Sequence, residues 1–171
     1  MNTGVQRSSA TPPAARTATT MSVGAEPGNV FGTGKNVPLI AMAHHIPYVA
    51  TATVADLHDL EHKVTRAMGM RGARYIHIHV PCPLGWGSEP AETVRIARLA
   101  VESGLFPLFE AEHGEITERT LIRRRVPVTE YLKPQRRFAH LFKNGADPRV
   151  ERIQAIADRN IERFGLLGQQ R

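Results

Sequence analysis

The apolar positions of this chain fall into regular patterns only from Val37 onward. Residues 1–36 are rich in Thr, Ser, Gly, Pro and Ala and show almost no hydrophobic periodicity. Such a composition makes turns and offers little to bury. A loop of that length in a compact domain is functional or disordered. Val37–His44 then reads as a short helix with a proline near its start, and Tyr48–Ala52 as a short strand. Between Asp56 and Met68, the residues Leu57, Leu60, Val64 and Met68 recur at helical steps with charges between them, which predicts an amphipathic helix. Gly69 and Gly72 end it. Tyr75–Val80 is a strand, and a loop runs from Pro81 to Ser88. A helix follows from Ser88 or Glu89 to about Glu102, with Val94, Ala97 and Val101 on one face and Gly104 as its stop.

The second half continues in the same way. Leu105–Glu112 is a strand, His113-Gly114 a turn, and Glu115–Leu121 a partner that pairs back as a hairpin. Pro127–Leu132 and Gln135–Phe142 are short helices. Asp147 caps a last helix that aligns Val150, Ile153, Ala157, Ile161 and Phe164. There is no internal repeat. Strand, helix, strand, helix, strand is the grammar of a parallel α/β sheet, whose ligands sit beyond the carboxyl ends of the strands. The loop after Val80 and any segment laid across that edge are therefore the places to look for a site.

Composition narrows the class. A chain of 171 residues with 42% apolar content is long enough to bury a core. No run approaches the ~18 apolar residues of a membrane helix, and no secretory signal opens the sequence. One cysteine excludes an internal disulfide, so a cytoplasmic compartment is the default expectation. The net charge of +6 is concentrated late, at Arg119, Arg123, Arg124, Arg125, Lys133, Arg136, Arg137 and Lys143. Such a cluster attracts phosphates, nucleic acid or acidic partners, or else forms a solvated face or an arm on a neighbouring subunit. No nucleic-acid motif accompanies it, and aromatic content is only 6%.

Several residues carry candidate chemistry. Cys82 lies between two prolines at the end of a predicted strand, a setting suited to an iron–sulfur ligand and equally to a small buried residue. One thiolate cannot hold a cluster alone. Gly28 to Lys35 suggests a phosphate loop, but five residues separate Gly28 from Gly34 and Asn36 follows the lysine, so the spacing fails. His58 with His62, and His77 with His79, are pairs able to share a metal, yet no carboxylate or thiol motif surrounds them. His44-His45 sits at a helix end, where positive charge is favourable. Asn2, Thr3 and Gly4 supply the amide, hydroxyl and glycine that can line a diphosphate or complete a magnesium shell. A frayed terminus is the plainer reading.

Taken in order, these segments resemble the thiamine-diphosphate-binding β subunit of pyruvate (2-oxoacid):ferredoxin oxidoreductase. The resemblance rests on Met1–Pro12, Ala43–Ala52, Tyr75–Trp86, Ala97–Glu110 and the segments Pro127–Leu132 and Gln135–Leu141, and runs colinearly to about residue 142. It implies a partial parallel-sheet α/β fold with residues 1–36 as a cofactor-site loop, 37–121 as the end of the cofactor-binding domain and 122–171 as a C-terminal arm and helix. It implies coenzyme-A-dependent oxidative decarboxylation of pyruvate with reduction of ferredoxin, where the thiamine cofactor carries the chemistry. Implied cofactors are thiamine diphosphate, Mg2+ and a [4Fe–4S] cluster, and implied partners are α, γ and δ subunits. Asn2, Thr3 and Gly4 match the loop around the cofactor diphosphate, and Cys82 matches a late cluster ligand.

The departures from the family pattern matter as much. The family's Gly-Asp-Gly and its N-terminal cysteines are absent. The chain is therefore expected to be the C-terminal half of the subunit, inactive alone, with an open sheet edge and an apolar face where the first strands are missing. Two other readings stand beside it: a basic anion- or nucleic-acid-binding module, and a non-catalytic docking subunit of an oxidoreductase.

Overall fold

The structure, a computed structural model, describes residues 13–16, 35–145 and 147–168. Helix α1 (Val37–Ala43) starts where the Asn36 side chain accepts the Leu39 amide at 3.2 Å. Strand β1 (Tyr48–Thr53) is buried at every residue. Helix α2 (Leu57–Gly69) is capped by Asp56, whose carboxylate takes the Asp59 amide at 3.0 Å. Strand β2 (Arg74–His79) follows. The expected loop after it contains a one-turn helix, α3 (Pro83–Trp86), before α4 (Thr93–Glu102). A hairpin of β3 (Phe109–Glu112) and β4 (Glu115–Arg119) is closed by His113-Gly114. Helix α5 (Val128–Leu132), a 3-10 helix at Arg136–Phe142 and helix α6 (Pro148–Phe164) complete the chain.

The class is α/β, and the sheet is mixed. Its order is β2-β1-β3-β4. β1 and β2 run parallel from Tyr48 opposite Arg74 to Thr53 opposite His79. β3 runs antiparallel to β1, with Val49 facing Ala111 and Ala50 facing Glu110. The reason lies in the connection. Gly104 takes a left-handed conformation and Phe106 folds back to donate to the Ala100 carbonyl at 2.9 Å. The chain thus enters the sheet from the end where β1 finishes. The strand expected from Leu105 starts only at Phe109, because Pro107 has no amide to offer a ladder. Thr51 replaces that ladder: its hydroxyl donates to the Pro107 carbonyl at 2.7 Å and accepts the Phe109 amide at 2.9 Å.

Two helices bury faces other than the expected ones. In α4 the buried residues are Ile96, Ala97, Leu99 and Ala100, while Val94 is 48% exposed. The wider stripe of adjacent pairs offers more apolar area to the core than the three-residue set. In α2 the apolar stripe turns outward: Leu57 is 67% exposed, Val64 40% and Met68 73%. The inward residues are Ala67 and Lys63. Lys63 is tolerated there because its ammonium donates to the Thr51 carbonyl at 3.0 Å and to Asp59 at 2.7 Å. Beside this helix, the outer edge of β2 has no strand paired to it among the described residues.

Helix α6 joins two apolar clusters. Ile153 and Ala157 enter one with Trp86, Leu99, Tyr131 and Phe138. Ile161 and Phe164 enter the other with Val49 and Phe109, where the two phenyl rings stack at 5.0 Å. No helix among the described residues is long and apolar enough to cross a membrane.

Gly104 is the tightest joint of this arrangement. Its φ is +80°, and a Cβ there would stand 2.6 Å from Ile161 Cγ1. Gly104→Ala is expected to cost about 2 kcal/mol through strain and overpacking, read as a lower midpoint in urea unfolding. An unchanged midpoint would show that α6 yields freely.

Candidate functional site at the end of strand β2

Pro81 ends β2, and Cys82 follows as the cap residue of α3, with its carbonyl accepting the Trp86 amide at 2.9 Å. Gly87 then closes the turn in a left-handed conformation, which no side chain adopts cheaply. It also permits a close approach. A Cβ at Gly87 would lie 2.6 Å from Arg136 Cβ, and the Arg136 amide donates to the Gly87 carbonyl at 3.2 Å. This contact seats the Arg136–Phe142 helix against the cysteine turn.

The seating places Arg137 over Trp86, its guanidinium 3.7 Å from the ring centroid and 4.9 Å from that of Phe138. Arg137 is only 3% exposed. Its Nε donates to Gln135 Oε1 at 2.8 Å and an Nη to the Tyr131 hydroxyl at 3.2 Å. Gln135 is itself held by donating to the Tyr131 carbonyl. Among the described residues no carboxylate pairs with Arg137. Burial draws its pKa down to about 10, and Tyr131 and a charge on Cys82 act in the opposite direction. Trp86 Nε1 and Ser88 Oγ are enclosed without partners.

His79 completes the layer. Its ring lies 4.8 Å from Phe106, 5.7 Å from Trp86 and 6.5 Å from Tyr131 by centroid, and its Nδ1 is enclosed without a partner. Burial, helped by the charge of Arg137, pushes its pKa down to about 3. His77 sits edge-on to Phe106 at 5.7 Å, and its Nδ1 meets the Tyr75 hydroxyl at 3.3 Å. The pair on β2 therefore lines an aromatic layer. Part of the N-terminal segment also arrives here. Ala14 and Ala15 are buried in the same cluster, and the Arg16 amide donates to the Arg137 carbonyl at 2.7 Å.

Other candidates from the sequence lie elsewhere. Asn2, Thr3 and Gly4 are outside the described residues, as are Gly28 and Gly34. His58 is exposed on α2, and His62 stands 4.0 Å from the buried Glu110. His45 Nδ1 meets the His113 carbonyl at 2.9 Å. No group of three or more His, Cys, Asp or Glu able to hold a metal occurs among the described residues. Three members of the basic run are engaged within the fold: Arg124 pairs with Glu102 at 3.2 Å, Arg125 with Asp158 at 2.7 Å, and Arg137 is buried.

Arg137, Trp86, Gln135 and Tyr131 are the participants that the sequence reading missed. Arg137 reads there as one more member of a basic run. The available signal is its position between the apolar Leu132 and Phe138, which turns one residue of that run inward.

Cys82 suits a single thiolate ligand. It is unbridged, partly exposed and fixed by the turn it caps. As the chain has one cysteine, a four-thiolate cluster takes its other ligands from outside this chain. Among the described residues no group of three or more His, Cys, Asp or Glu could enclose a magnesium ion.

No family model matches the chain. Curated relatives do match. It is 47% identical over 167 residues to pyruvate synthase subunit PorB of Methanosarcina barkeri, covering 97% of this chain and 56% of the relative. It is 43% identical over 166 residues to the PorB subunit of Methanocaldococcus jannaschii, covering 97% and 54%. It is 41% identical over 145 residues to ketoisovalerate oxidoreductase subunit VorB of Pyrococcus abyssi, covering 84% and 46%. The chain spans about half the length of the relatives it matches.

The neutral His79 makes stability pH-dependent. Its ordinary pKa near 6.5 in the unfolded chain falls to about 3 in the fold, so the unfolded state takes up the proton first. Stability is expected to fall as pH drops below about 6.5, by up to ~1.4 kcal/mol per pH unit. Chemical unfolding at pH 7 and pH 5 checks this, with a loss of about 2 kcal/mol in the parent and a smaller one in His79→Phe. Equal losses in both proteins would assign the effect elsewhere.

Proposed function

The chain is homologous along nearly its whole length to the PorB β subunits of 2-oxoacid:ferredoxin oxidoreductases, and from that kinship we propose that it forms the C-terminal part of such a subunit. The subunit takes part in coenzyme-A-dependent oxidative decarboxylation of pyruvate to acetyl-CoA, with electrons passed to ferredoxin. This part alone is inactive. The reading is carried by a match to 97% of this chain that accounts for only 56% of the relative.

Two features of the fold support it. The apolar stripe of α2 faces outward, and the outer edge of β2 carries no paired strand among the described residues. A hydrophobic helix face and an open strand edge side by side suit the remainder of an α/β subunit. Cys82 serves as one ligand of a [4Fe–4S] cluster, which supplies single-electron transfer when bound. Asn2, Thr3 and Gly4 border the diphosphate of thiamine diphosphate and its Mg2+. The partners are the α, γ and δ subunits and ferredoxin, in the cytoplasm. Of the residues behind the reading as a basic binding module, Arg124 and Arg125 are ion-paired and Arg137 is buried.

Two experiments test this. In the complete oxidoreductase, Cys82→Ser is expected to remove or markedly alter one cluster signal in electron paramagnetic resonance, and an unaltered spectrum would refute the ligand role. Separately, Leu57→Glu with Met68→Glu is expected to abolish co-purification of this chain with the remainder of its own subunit. These exposed changes should alter the stability of this chain by less than about 0.5 kcal/mol each. Retained assembly would sink the docking role of α2.

A further inference from the structure

A buried guanidinium without a carboxylate is expensive. Removing an ion from water costs several kcal/mol unless a counter-charge or excellent hydrogen bonding offsets it. Arg137 is 3% exposed, yet its recorded partners are two neutral groups, the Gln135 amide oxygen and the Tyr131 hydroxyl, and two aromatic faces. Lys63, the other buried cation described, differs: it has Asp59 at 2.7 Å, and even the partly exposed Arg66 has Glu110, Glu112 and Glu118 at 2.6–3.3 Å. Only at Arg137, among the buried cations described, is the acid missing.

The surroundings point to an anion that arrives from outside. The ring on which Arg137 lies, Trp86, is itself buried and keeps its Nε1–H, a donor, without a partner. Cys82 begins the turn that carries Trp86, and it packs against the same cluster. The guanidinium is held by a clamp that fixes its plane: the Trp86 face below, Gln135 at Nε and Tyr131 at Nη. A fork fixed so firmly, and lacking an acid, is preorganised for a charge that is not part of the described chain.

We propose that Arg137 is a positioning residue for the anion carried by Cys82, its guanidinium being the fixed counter-charge that raises the reduction potential of an iron–sulfur cluster bound there. The proposal rests on Cys82 being a cluster ligand. Its physics is simple. Thiolate-bound clusters are negatively charged and become more so on reduction, so a fixed positive charge beside them favours the reduced form. The Trp86 ring and the Arg136–Phe142 helix keep water from screening that charge.

The test uses the complete oxidoreductase, titrated redox-potentiometrically with the cluster followed by electron paramagnetic resonance. Arg137→Gln is expected to shift the Cys82-dependent signal to a more negative midpoint, by at least a tenfold change in the reduction equilibrium, or about 59 mV for a one-electron couple. Arg137→Lys, which keeps the charge and loses the planar stack, is expected to stay within about twofold of the parent. A merely structural role predicts no such difference, with both variants losing cluster content and neither moving the midpoint of what remains. If Arg137→Gln does not assemble, Arg137→Lys decides: parent-like cluster content with a parent-like midpoint supports the charge role, and lost content or a tenfold shift overturns it. A Cys82-dependent signal with an unmoved midpoint in Arg137→Gln overturns the proposal by itself. A spectrum indifferent to Cys82→Ser overturns the ligand reading beneath it, and the proposal with it.

Discussion

Thr51 is the point through which the sheet is held together. Its carbonyl receives the buried Lys63 ammonium, while its hydroxyl both donates to Pro107 and accepts from Phe109. One residue in the central strand thereby fixes the helix above it and the strand beside it. β1 can occupy that place because its residues are Tyr-Val-Ala-Thr-Ala-Thr, mostly small, and all six are covered. A bulkier strand would keep α2 from approaching closely enough for Lys63 to reach the backbone. Nearer the start of β1 the Tyr48 hydroxyl donates to Glu110, which Arg66 of α2 also contacts. The helix is thus tied to the sheet by polar bonds, and that leaves its apolar side free.

That outcome explains what was legible in the sequence and what was not. Helical and strand periods report local geometry, so α2, α4, α6, β1, β2 and the hairpin at His113-Gly114 were all visible from spacing. Which side of an amphipathic helix faces the core is a different matter. The stripe of Leu57, Val64 and Met68 is real, but its covering is not among the described residues, and the inward side is set by Lys63 finding acceptors on Thr51 and Asp59. Likewise the direction of β3 depends on Gly104 and Pro107 acting together, and neither residue signals a strand direction by itself.

The site was half legible. Cys82 stood out because a thiol between prolines at a strand end is a rigid placement. Its charged neighbour did not, because the Arg136–Phe142 helix meets the cysteine turn where Gly87 admits Arg136 to its backbone, a contact between distant segments. A glycine that reads as loop punctuation turns out to set an intersegment distance. The expected diphosphate residues Asn2, Thr3 and Gly4 lie outside the described residues, and their role stands on resemblance. The aromatic layer of His79, Trp86, Phe106 and Tyr131 was also beyond linear reading, since its members come from four separate segments.

The hydrogen bond from the Arg16 amide to the Arg137 carbonyl has a temporal meaning. Its two ends are separated by most of the chain, and synthesis proceeds from the N-terminus. Ala14 and Ala15 therefore have no seat until Phe138 and Leu141 have left the ribosome and their helix has docked on Gly87. The sheet can form during translation, whereas the seat of Ala14 and Ala15 beside the layer around Cys82 is complete only once residues 137–141 have emerged.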